Sequence, residues 1–267
     1  CTLRPEGTAS VARALIQHGI STKPSQKLWY MGPMFRYERP QAGRQRQFHQ
    51  LGVEFIGYES VSSDIEIITL AWDILEKLGI KELNLEINTL GDHIDRSNFQ
   101  KAFLKWLEVN KNSLDFDSQR RIDKNPLRIL DTKDVKTKQI LKGAPRLFDF
   151  LSEKSLERYL IIKEKLKLLK IPFIENSNLV RGLDYYTHTA FEITSGALGS
   201  QATVCGGGRY DSLISQMGGA ETPAIGFAIG LERLILLCGN ELEETRETDV
   251  YIVNKGTHAE ILAMELS

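Results

Sequence analysis

The first third of the chain combines helical and strand periods of apolar residues. A helical period predicts a helix over 11–18 that ends at Gly19. Alternating apolar positions predict strands over 28–36, 48–56 and 83–88, and a loop rich in glycine, proline and arginine joins the first two. These segments predict an antiparallel sheet with helices packed against it.

The clearest helix signal follows Ser63. Ser63 and Glu66 have the spacing of a capping box, and Gly79 stands where a C-cap is expected. Between them runs one apolar stripe, made of Ile65, Ile68, Trp72, Leu75 and Leu78. An amphipathic helix of this kind packs on a core, so we assign it a structural role.

Residues 92–172 form a second region, which is rich in helical periods and in lysine. Helices are predicted over 99–109, 145–151 and 155–169. The region contains 19 Lys and Arg against 12 Asp and Glu, a net charge of +7, whereas the rest of the chain carries −8. Two interpretations stay open on charge alone: solvated helix faces, or an electrostatic footprint for a polyphosphate backbone.

Strand and glycine patterns return after residue 172. The segment 179–195 is rich in β-forming residues, 205–211 is predicted to be a tight turn region, and 224–238 is a buried strand that continues into a helix. Because the elements on both sides of the basic region match in type, an α+β fold with a helical insertion is the simplest architecture.

The predicted domain boundaries follow from these patterns. A discontinuous catalytic domain comprises residues 1–91 and 173–245, and a helical insertion domain comprises 92–172. A strand pattern at 249–253 starts a further domain within 246–267. This strand has too little chain after it to bury its apolar face, so we expect a fragment of a longer protein.

Composition narrows the class of protein. The 267 residues are 42% hydrophobic and 26% charged with a net charge of −1, which is typical of a globular protein and not of a disordered or fibrous one. No apolar run is long enough to predict a membrane span. The three cysteines lack C-x-x-C spacing, the five histidines lack metal-ligand spacing, and there is no P-loop motif. We therefore expect a cytoplasmic protein, or one of an organelle matrix or stroma.

An arginine-rich loop is the first candidate for chemistry. Four arginines and one glutamate lie within 11 residues between the first two predicted strands. Arginine forks suit triphosphate oxygens, and Phe48 is placed to stack on a base; the alternative is a solvated basic hairpin or a surface contact with nucleic acid. On the following strand, Gln50 and Glu54 share a face by the period of two. A carboxylate among apolar neighbours needs a partner, and a ligand is one candidate.

Two further clusters follow the insertion. Arg181-Gly182-Leu183-Asp184-Tyr185-Tyr186 supplies a cation and two hydroxyl-tipped rings, although a β-bulge with an ordinary ion pair explains it equally well. Arg233 falls in the first turn of a predicted helix, where the macrodipole disfavours a cation without an anion nearby. Glu232 or a bound phosphate could be that anion.

Together these segments resemble the class II aminoacyl-tRNA synthetases. The motifs that carry the resemblance are Leu3-Arg4-Pro5-Glu6-Gly7-Thr8, the segments 35–50, 181–186 and 226–234, and Asn125-Pro126-Leu127-Arg128-Ile129-Leu130-Asp131. The R-G-L-D-Y-Y run is similar to that of the histidyl-tRNA synthetases in particular. The resemblance implies a class II synthetase-like antiparallel sheet flanked by helices, with a mainly helical insertion domain. It also implies that the dimer-forming first motif precedes residue 1 and that most of the anticodon-binding domain follows residue 267.

The resemblance further implies a histidine–tRNA ligase, which forms histidyl-adenylate from L-histidine and ATP and then acylates the 3′ end of the histidine tRNA. Arg36 would bind the α-phosphate, Arg44 and Arg233 the β/γ end, and Glu38 the adenine edge. Phe48 would stack on the adenine, and Mg²⁺ would accompany ATP with no metal motif in the chain itself. Arg36, Arg181 and Arg233 would be the catalytic cations.

For the amino acid, the resemblance implies a site with a role for each residue. Arg181 would bind the carboxylate and the α-phosphate region. The α-amino group would be held by Glu6, Thr8 and Gln50, and the two imidazole nitrogens would be bracketed by Glu54 and Tyr186, with Tyr185 beside them. Hydrogen bonds to both ring nitrogens discriminate against apolar analogues by roughly 10⁴ or more without an editing domain.

The partners implied are L-histidine, ATP and the histidine tRNA, with the +7 insertion on the acceptor arm and a homodimer as the full-length assembly. The main rival is a non-catalytic relative, either a histidine-binding regulatory subunit or a tRNA sensor. A synthetase for another amino acid conflicts with the pairing of Glu54 and Tyr186. Arg36, Arg44, Arg181 and Arg233 together favour the enzyme, because a sensor that never turned over ATP would not need all four.

Overall fold

A computed structural model of the protein describes residues 2–19, 25–37, 45–130, 132, 134–179, 185–197 and 203–239, with a few positions between 252 and 263. The chain divides into two compact units, Cys1–Leu237 and Cys238–Ser267. The predicted strand at 249–253 and the rest of the predicted C-terminal domain fall largely outside the described residues. No helix of the described part is long and apolar enough to cross a membrane.

A seven-stranded sheet forms the centre of the first unit. Its order is β1-β2-β7-β6-β5-β3-β4, and every neighbouring pair is antiparallel except β3 and β4, which are parallel. The strands are β1 Gln26–Phe35, β2 Gln47–Ile56, β3 Leu83–Thr89, β4 Phe173–Glu175, β5 Thr187–Ser195, β6 Thr203–Arg209 and β7 Ala224–Gly230. The predicted α+β fold with a mainly antiparallel sheet is therefore confirmed.

Helices surround the sheet and fill the inserted region. They are α1 Thr8–Gln17, α2 Val61–Lys77, α3 His93–Asn110, α4 Phe116–Arg121, α5 Val135–Leu141, α6 Glu153–Leu168, α7 Leu213–Gln216 and α8 Leu231–Cys238. Helix α2 packs on the sheet and buries the predicted stripe, apart from Leu78, which follows its last turn and is 40% exposed. Gly79 has a φ of 74°, so the predicted glycine at the end of this helix is confirmed.

The predicted capping box of α2 is wrong. The helix begins two residues before Ser63, with Ser60 as its N-cap. The hydroxyl of Ser63 donates to the Ser60 carbonyl at 2.7 Å and accepts from Arg209 Nη2 at 2.9 Å. Arg209, a buried residue of the distant strand β6, therefore binds the Ser63 hydroxyl, which the local sequence predicts to be the N-cap of α2.

The predicted turn at 205–211 is also wrong for most of its length. Gly206, Gly207 and Gly208 lie inside β6, a central strand that is paired on both sides. A Cβ at Gly207 would overlap the Phe191 ring and the Gly226 carbonyl, so the strand needs glycine for close packing rather than for a turn.

The inserted region has its own apolar core. Buried residues of α3 and the segments after it form this core: Phe99, Phe103, Leu107, Leu114, Ile122 and Ile129. The helix predicted over 145–151 is instead a single 3₁₀ turn, Leu147–Phe150. Helix α6 returns to the sheet, where Arg158 Nη2 lies 2.6 Å from the buried carboxylate of Asp64 on α2. The boundaries between the catalytic domain and the insertion domain, at 91/92 and 172/173, stay a prediction.

Candidate active site

A fully buried carboxyl group lies at the centre of the site. Glu54 on β2 is 0% exposed, and its oxygens accept hydrogen bonds from Thr8 Oγ1 at 2.7 Å and from Tyr210 Oη at 2.5 Å. Burial raises the pKa of Glu54 to about 8, even though these two hydrogen bonds lower it. The group therefore holds a proton at neutral pH and still has lone pairs for a further partner.

Glycines on the neighbouring strands make room for this carboxyl group. Gly226 on β7 is directly opposite Glu54, and Gly208 on β6 is directly opposite Gly226. A Cβ at position 226 would overlap Glu54 Oε2. Gly226 and Gly208 therefore leave space beside Glu54 on this buried face of the sheet. The Glu54 side chain occupies part of this space.

Two buried hydroxyl oxygens that interact electrostatically with Glu54, Tyr30 Oη and Tyr185 Oη, have no hydrogen-bond partner within the described residues, and neither has Gln50 Oε1, four residues earlier on β2. Leaving a buried polar atom unpaired costs about 1–3 kcal/mol. Burial raises the pKa of both tyrosines further above the ordinary value, so both remain neutral hydroxyls that can donate or accept. Gln50, Glu54 and Tyr30, which is paired opposite Gly52, share one face of the sheet, and unpaired buried atoms along this face indicate a site built for a polar ligand.

Aromatic rings form the wall of this site. The ring centroids of Tyr185 and Tyr186 are 4.8 Å apart, and Tyr185 meets Tyr210 edge-on at 5.8 Å. Tyr186 and Tyr210 are almost completely buried. The ring of Tyr30 lies where a Cβ of Gly52 would stand, directly across the β1–β2 pair. The ligand space is thus bounded by tyrosines and by a carboxyl group.

Glu6 has a structural role in the described geometry. Its two oxygens accept from the backbone N–H groups of Thr8 and Ala9 at 2.7 and 2.8 Å, which stabilises the first turn of α1. The same turn positions the Thr8 hydroxyl on Glu54. Glu6 therefore fixes the helix end that delivers Thr8 to the site.

A second group of predicted residues lies at the ends of β1 and β2. The Arg36 guanidinium lies 5.0 Å from the centroid of the Phe48 ring, and its Nε donates to the Pro5 carbonyl at 3.0 Å. Next to Phe48, the backbone N–H and Nδ1 of His49 bind the carboxylate of Glu232, both at 2.9 Å. Burial would raise the pKa of Glu232, but these bonds from His49 lower it overall, so this side chain stays anionic.

Arg233 follows in the first turn of α8, as predicted, and its Nη1 donates to the carbonyl of Thr203. The carboxylate of Glu232 binds His49 instead. Arg233 is thus hydrogen-bonded to the start of β6, at the same end of the sheet as Gln50 on β2 and Gly230 on β7.

Sequence reasoning located part of this site. The structure brings together Thr8, Glu54, Tyr185 and Tyr186, keeps Gln50 on the same face of β2 as Glu54, and places Arg36 with Phe48. Glu38, Arg44 and Arg181 lie outside the described residues. The sequence pattern does not single out Tyr30 or Tyr210: Tyr30 is one alternating position in an ordinary strand pattern, and Tyr210 follows the glycine run that predicts a turn. The signal for Tyr210 is the pairing of that run with the strand at 224–230, which requires the fold.

Comparison with known proteins agrees with this geometry. The profile of the histidyl-tRNA synthetase family matches residues 1–234. The chain is 95% identical over its whole length to the histidine–tRNA ligase of Prochlorococcus marinus subsp. pastoris and spans 62% of that relative.

Solved structures show the same fold. Apo histidyl-tRNA synthetase of S. aureus superposes with a TM-score of 0.79 at 41% identity, covering 98% of this chain and 65% of that one. A Bacillus halodurans ATP phosphoribosyltransferase regulatory subunit/histidyl-tRNA synthetase shares the fold at a TM-score of 0.61 and 23% identity, covering 88% and 64%. On the match over residues 1–234 and the agreement of the fold, the chain belongs to the histidyl-tRNA synthetase family.

Proposed function

We propose that the whole protein is a histidine–tRNA ligase, which activates L-histidine with ATP and transfers the histidyl group to the 3′ end of the histidine tRNA. Family membership supports the reaction class. The observation that carries the amino-acid assignment is the pair of unpaired buried hydroxyls, Tyr30 Oη and Tyr185 Oη, beside the buried carboxyl group of Glu54, with Gln50 Oε1 unpaired on the same strand.

The imidazole of histidine fits this cluster chemically. A neutral imidazole offers one N–H donor and one nitrogen acceptor, and a protonated Glu54 offers one donor and one acceptor. Glu54 would bind one ring nitrogen, and a tyrosine hydroxyl of the Tyr185–Tyr186 pair would bind the other. An apolar side chain in this space would leave the buried hydroxyls and the carboxyl group unpaired, so it would bind much more weakly.

The α-amino group has a separate set of acceptors. Gln50 Oε1 lies on the same strand face as Glu54 and lacks a partner within the described residues. The Thr8 hydroxyl donates to Glu54 and retains acceptor lone pairs. We assign Gln50, Thr8 and the adjacent Glu6 carboxylate to the ammonium group, which places the histidine carboxylate toward the arginine-rich end of β1 and β2.

Activation requires two anions to approach each other. The histidine carboxylate attacks the α-phosphorus of ATP, a carboxylate oxygen–phosphorus bond forms, and the bond to the pyrophosphate leaving group breaks. Fixed cations lower this barrier by alignment and by stabilising the added negative charge, and no general base is needed because the carboxylate is already deprotonated. Arg36, Arg181 and Arg233 are the proposed cations.

Nucleotide binding is assigned to the same end of the site. Phe48 would stack on the adenine, with Glu38 at its edge and Arg44 at the terminal phosphates. Mg²⁺ would enter with ATP and be held by the phosphates. Within the described residues, no three or more His, Cys, Asp or Glu side chains are grouped so that they could hold a metal ion.

Two partners complete the proposal. The basic region 92–172 would bind the tRNA acceptor arm through its phosphates. A homodimer is supported by Trp29 and Met31, which are 72% and 63% exposed on strand β1 at the edge of the sheet. Large apolar side chains together at a sheet edge are typical of a surface that another chain covers.

The test is histidine-dependent exchange of pyrophosphate into ATP, run with a panel of amino acids. Exchange with histidine alone, lost in Arg181→Ala and kept in Arg13→Ala, is the expected result, since Arg13 is an exposed arginine on α1. Binding of histidine and ATP without exchange, even after flanking segments of the full-length relatives are added, would favour the regulatory subunit. Exchange with several amino acids would refute the assignment of Glu54 to imidazole.

A further inference from the structure

The start of the inserted region is hydrogen-bonded to His188, two residues after Tyr186. The backbone N–H of Leu90 donates to the His188 carbonyl at 2.6 Å, and the N–H of His188 donates to the Gly91 carbonyl at 2.7 Å. His188 has a φ of 47°, a left-handed conformation that costs energy for any residue other than glycine. Both backbone hydrogen bonds of this junction are therefore made by a strained residue two positions after Tyr186.

A side chain of the inserted region also reaches the site directly. Arg96, in the first turns of α3, donates from Nη1 to the backbone carbonyl of Tyr186 at 2.5 Å. A charged donor makes one of the stronger hydrogen bonds to a carbonyl oxygen. Arg96 therefore holds the peptide group that follows Tyr186, and the Tyr186 ring contacts the ring of Tyr185, with centroids 4.8 Å apart.

The two ends of the inserted region meet at the same place. Asp95 is buried, and its carboxylate accepts from the backbone N–H groups of Asp92, at 3.1 Å, and Ser152, at 2.9 Å. We call residues 91–96 and 151–152 the neck. The neck joins the two ends of residues 97–150, which we call the basic module, so a change in the orientation of the module acts on the first turns of α3.

Rigid packing connects the neck to the body of the module. Phe99 and Phe103 of α3 are central to the core of the inserted region, one and two turns beyond Arg96. Leu147 packs against this core and also against the apolar cluster that contains Tyr186 and Tyr210. Beside the neck lies a cavity whose lining includes Arg96, Arg128 and Arg146 from the inserted region and Ser177 from the loop after β4. At this junction, Arg96 is hydrogen-bonded to Tyr186, and the space next to it is a cavity.

We propose that Arg96 is a positioning residue that couples the basic module to the amino-acid site: a polyphosphate chain bound on the module tightens histidine binding through the Arg96–Tyr186 hydrogen bond. The inference rests on the proposed function and names how that same site is regulated. The ligand on the module is a tRNA, whose phosphates match the net charge of +5 that residues 97–150 carry, with 12 Lys and Arg against 7 Asp and Glu. By linkage, histidine tightens tRNA binding by the same factor.

The experiment measures histidine affinity by calorimetry, with and without a histidine-tRNA transcript, on the full chain. In the wild type the transcript is expected to tighten histidine binding about 5-fold. Arg96→Ala is expected to weaken histidine binding about 10-fold, to leave the Kd of ATP within about 2-fold, and to abolish the effect of the transcript. Arg96→Lys keeps a charged donor and should restore part of the coupling.

Arg146→Ala is the matched control. Arg146 lines the same cavity and carries the same charge, but its guanidinium pairs with Asp149 in the same turn rather than with Tyr186. This variant should bind histidine like the wild type and keep the transcript effect, apart from a small loss of tRNA affinity.

The outcomes separate the coupling from the proposed function. Wild-type protein that binds no histidine refutes the proposed function and the coupling with it. Wild-type protein that binds histidine, with Arg96→Ala and Arg146→Ala equally affected, refutes the coupling alone. Equal losses of histidine and ATP affinity in Arg96→Ala, together with a lowered Tm, would show a purely structural role, and an absent transcript effect in the wild type would likewise overturn the inference.

Discussion

Replacing Glu54 by glutamine tests whether the buried carboxyl group keeps its proton at neutral pH. Glutamine has the shape of the protonated acid and also offers one acceptor and a donor, so the hydroxyls of Thr8 and Tyr210 retain partners by rotating their protons. The substitution therefore removes the titration and leaves the packing in place. Any dependence of the stability difference on pH then reports the ionisation of Glu54.

The size of the effect follows from the shift in pKa. Burial raises the pKa of Glu54 from 4.5 to about 8 in the folded protein. Between these values the unfolded chain has lost the proton and the folded chain keeps it, so the stability from this group is complete below pH 4.5 and is lost as pH rises to 8. At about 1.4 kcal/mol per unit, the full window corresponds to an upper bound of about 5 kcal/mol.

The assay is urea unfolding at pH 5, 6, 7 and 8. Glu54→Gln and wild type should have similar free energies of unfolding at pH 5, and the variant should gain relative to wild type at each step. Glu66→Gln is the control, because Glu66 is half exposed on α2 and pairs with Lys27 at the surface. A difference for Glu54→Gln that stays constant within about 0.5 kcal/mol from pH 5 to pH 8 would refute the reasoning.

Three other substitutions test further parts of the site. Gly226→Ala should weaken histidine binding at least about 10-fold in calorimetry, because the added methyl group overlaps the Glu54 carboxyl group; an unchanged affinity would show that the strands separate easily. Arg36→Ala should lower kcat for pyrophosphate exchange about 100-fold, with histidine Kd unchanged; equal activity would remove Arg36 from the phosphate site. Asp64→Asn leaves the buried Arg209 without its carboxylate 2.6 Å away and should cost about 3–5 kcal/mol in urea unfolding; a loss below about 1 kcal/mol would show that Asp211 suffices.

The parts of the site that sequence predicted are those fixed by local periodicity. Gln50 and Glu54 share a face because side chains alternate along a strand, and the register of β2 keeps them there. The strand and helix at 224–238 also follow from a local pattern. Arg36 and Phe48 meet because the strands that carry them pair as neighbours in sequence.

The parts that sequence missed depend on pairing between distant segments. Tyr210 reaches Glu54 only because β6 and β2 flank the same strand, β7. The glycines before Tyr210 have the composition of a turn, and only packing against Phe191 explains them as a strand. Likewise, Ser63 loses its predicted cap role to Arg209, which is 146 residues away. Local propensity is overridden where a buried group from far along the chain needs the same atoms.

The antiparallel pairing of β2 with β7 has a consequence for how the protein folds. Glu54 and its opposite residue Gly226 are separated by the entire inserted region, so the contact closes a very long loop. Contacts of this kind form late and slowly, because the chain entropy of closure is lost before the paired strands stabilise one another. The inserted region has a local core and can fold first, whereas the ligand space between β2, β6 and β7 exists only once the sheet is complete. Under the proposed function, histidine binding would therefore report the last step of folding, and a chain still on the ribosome would present the basic module before the amino-acid site.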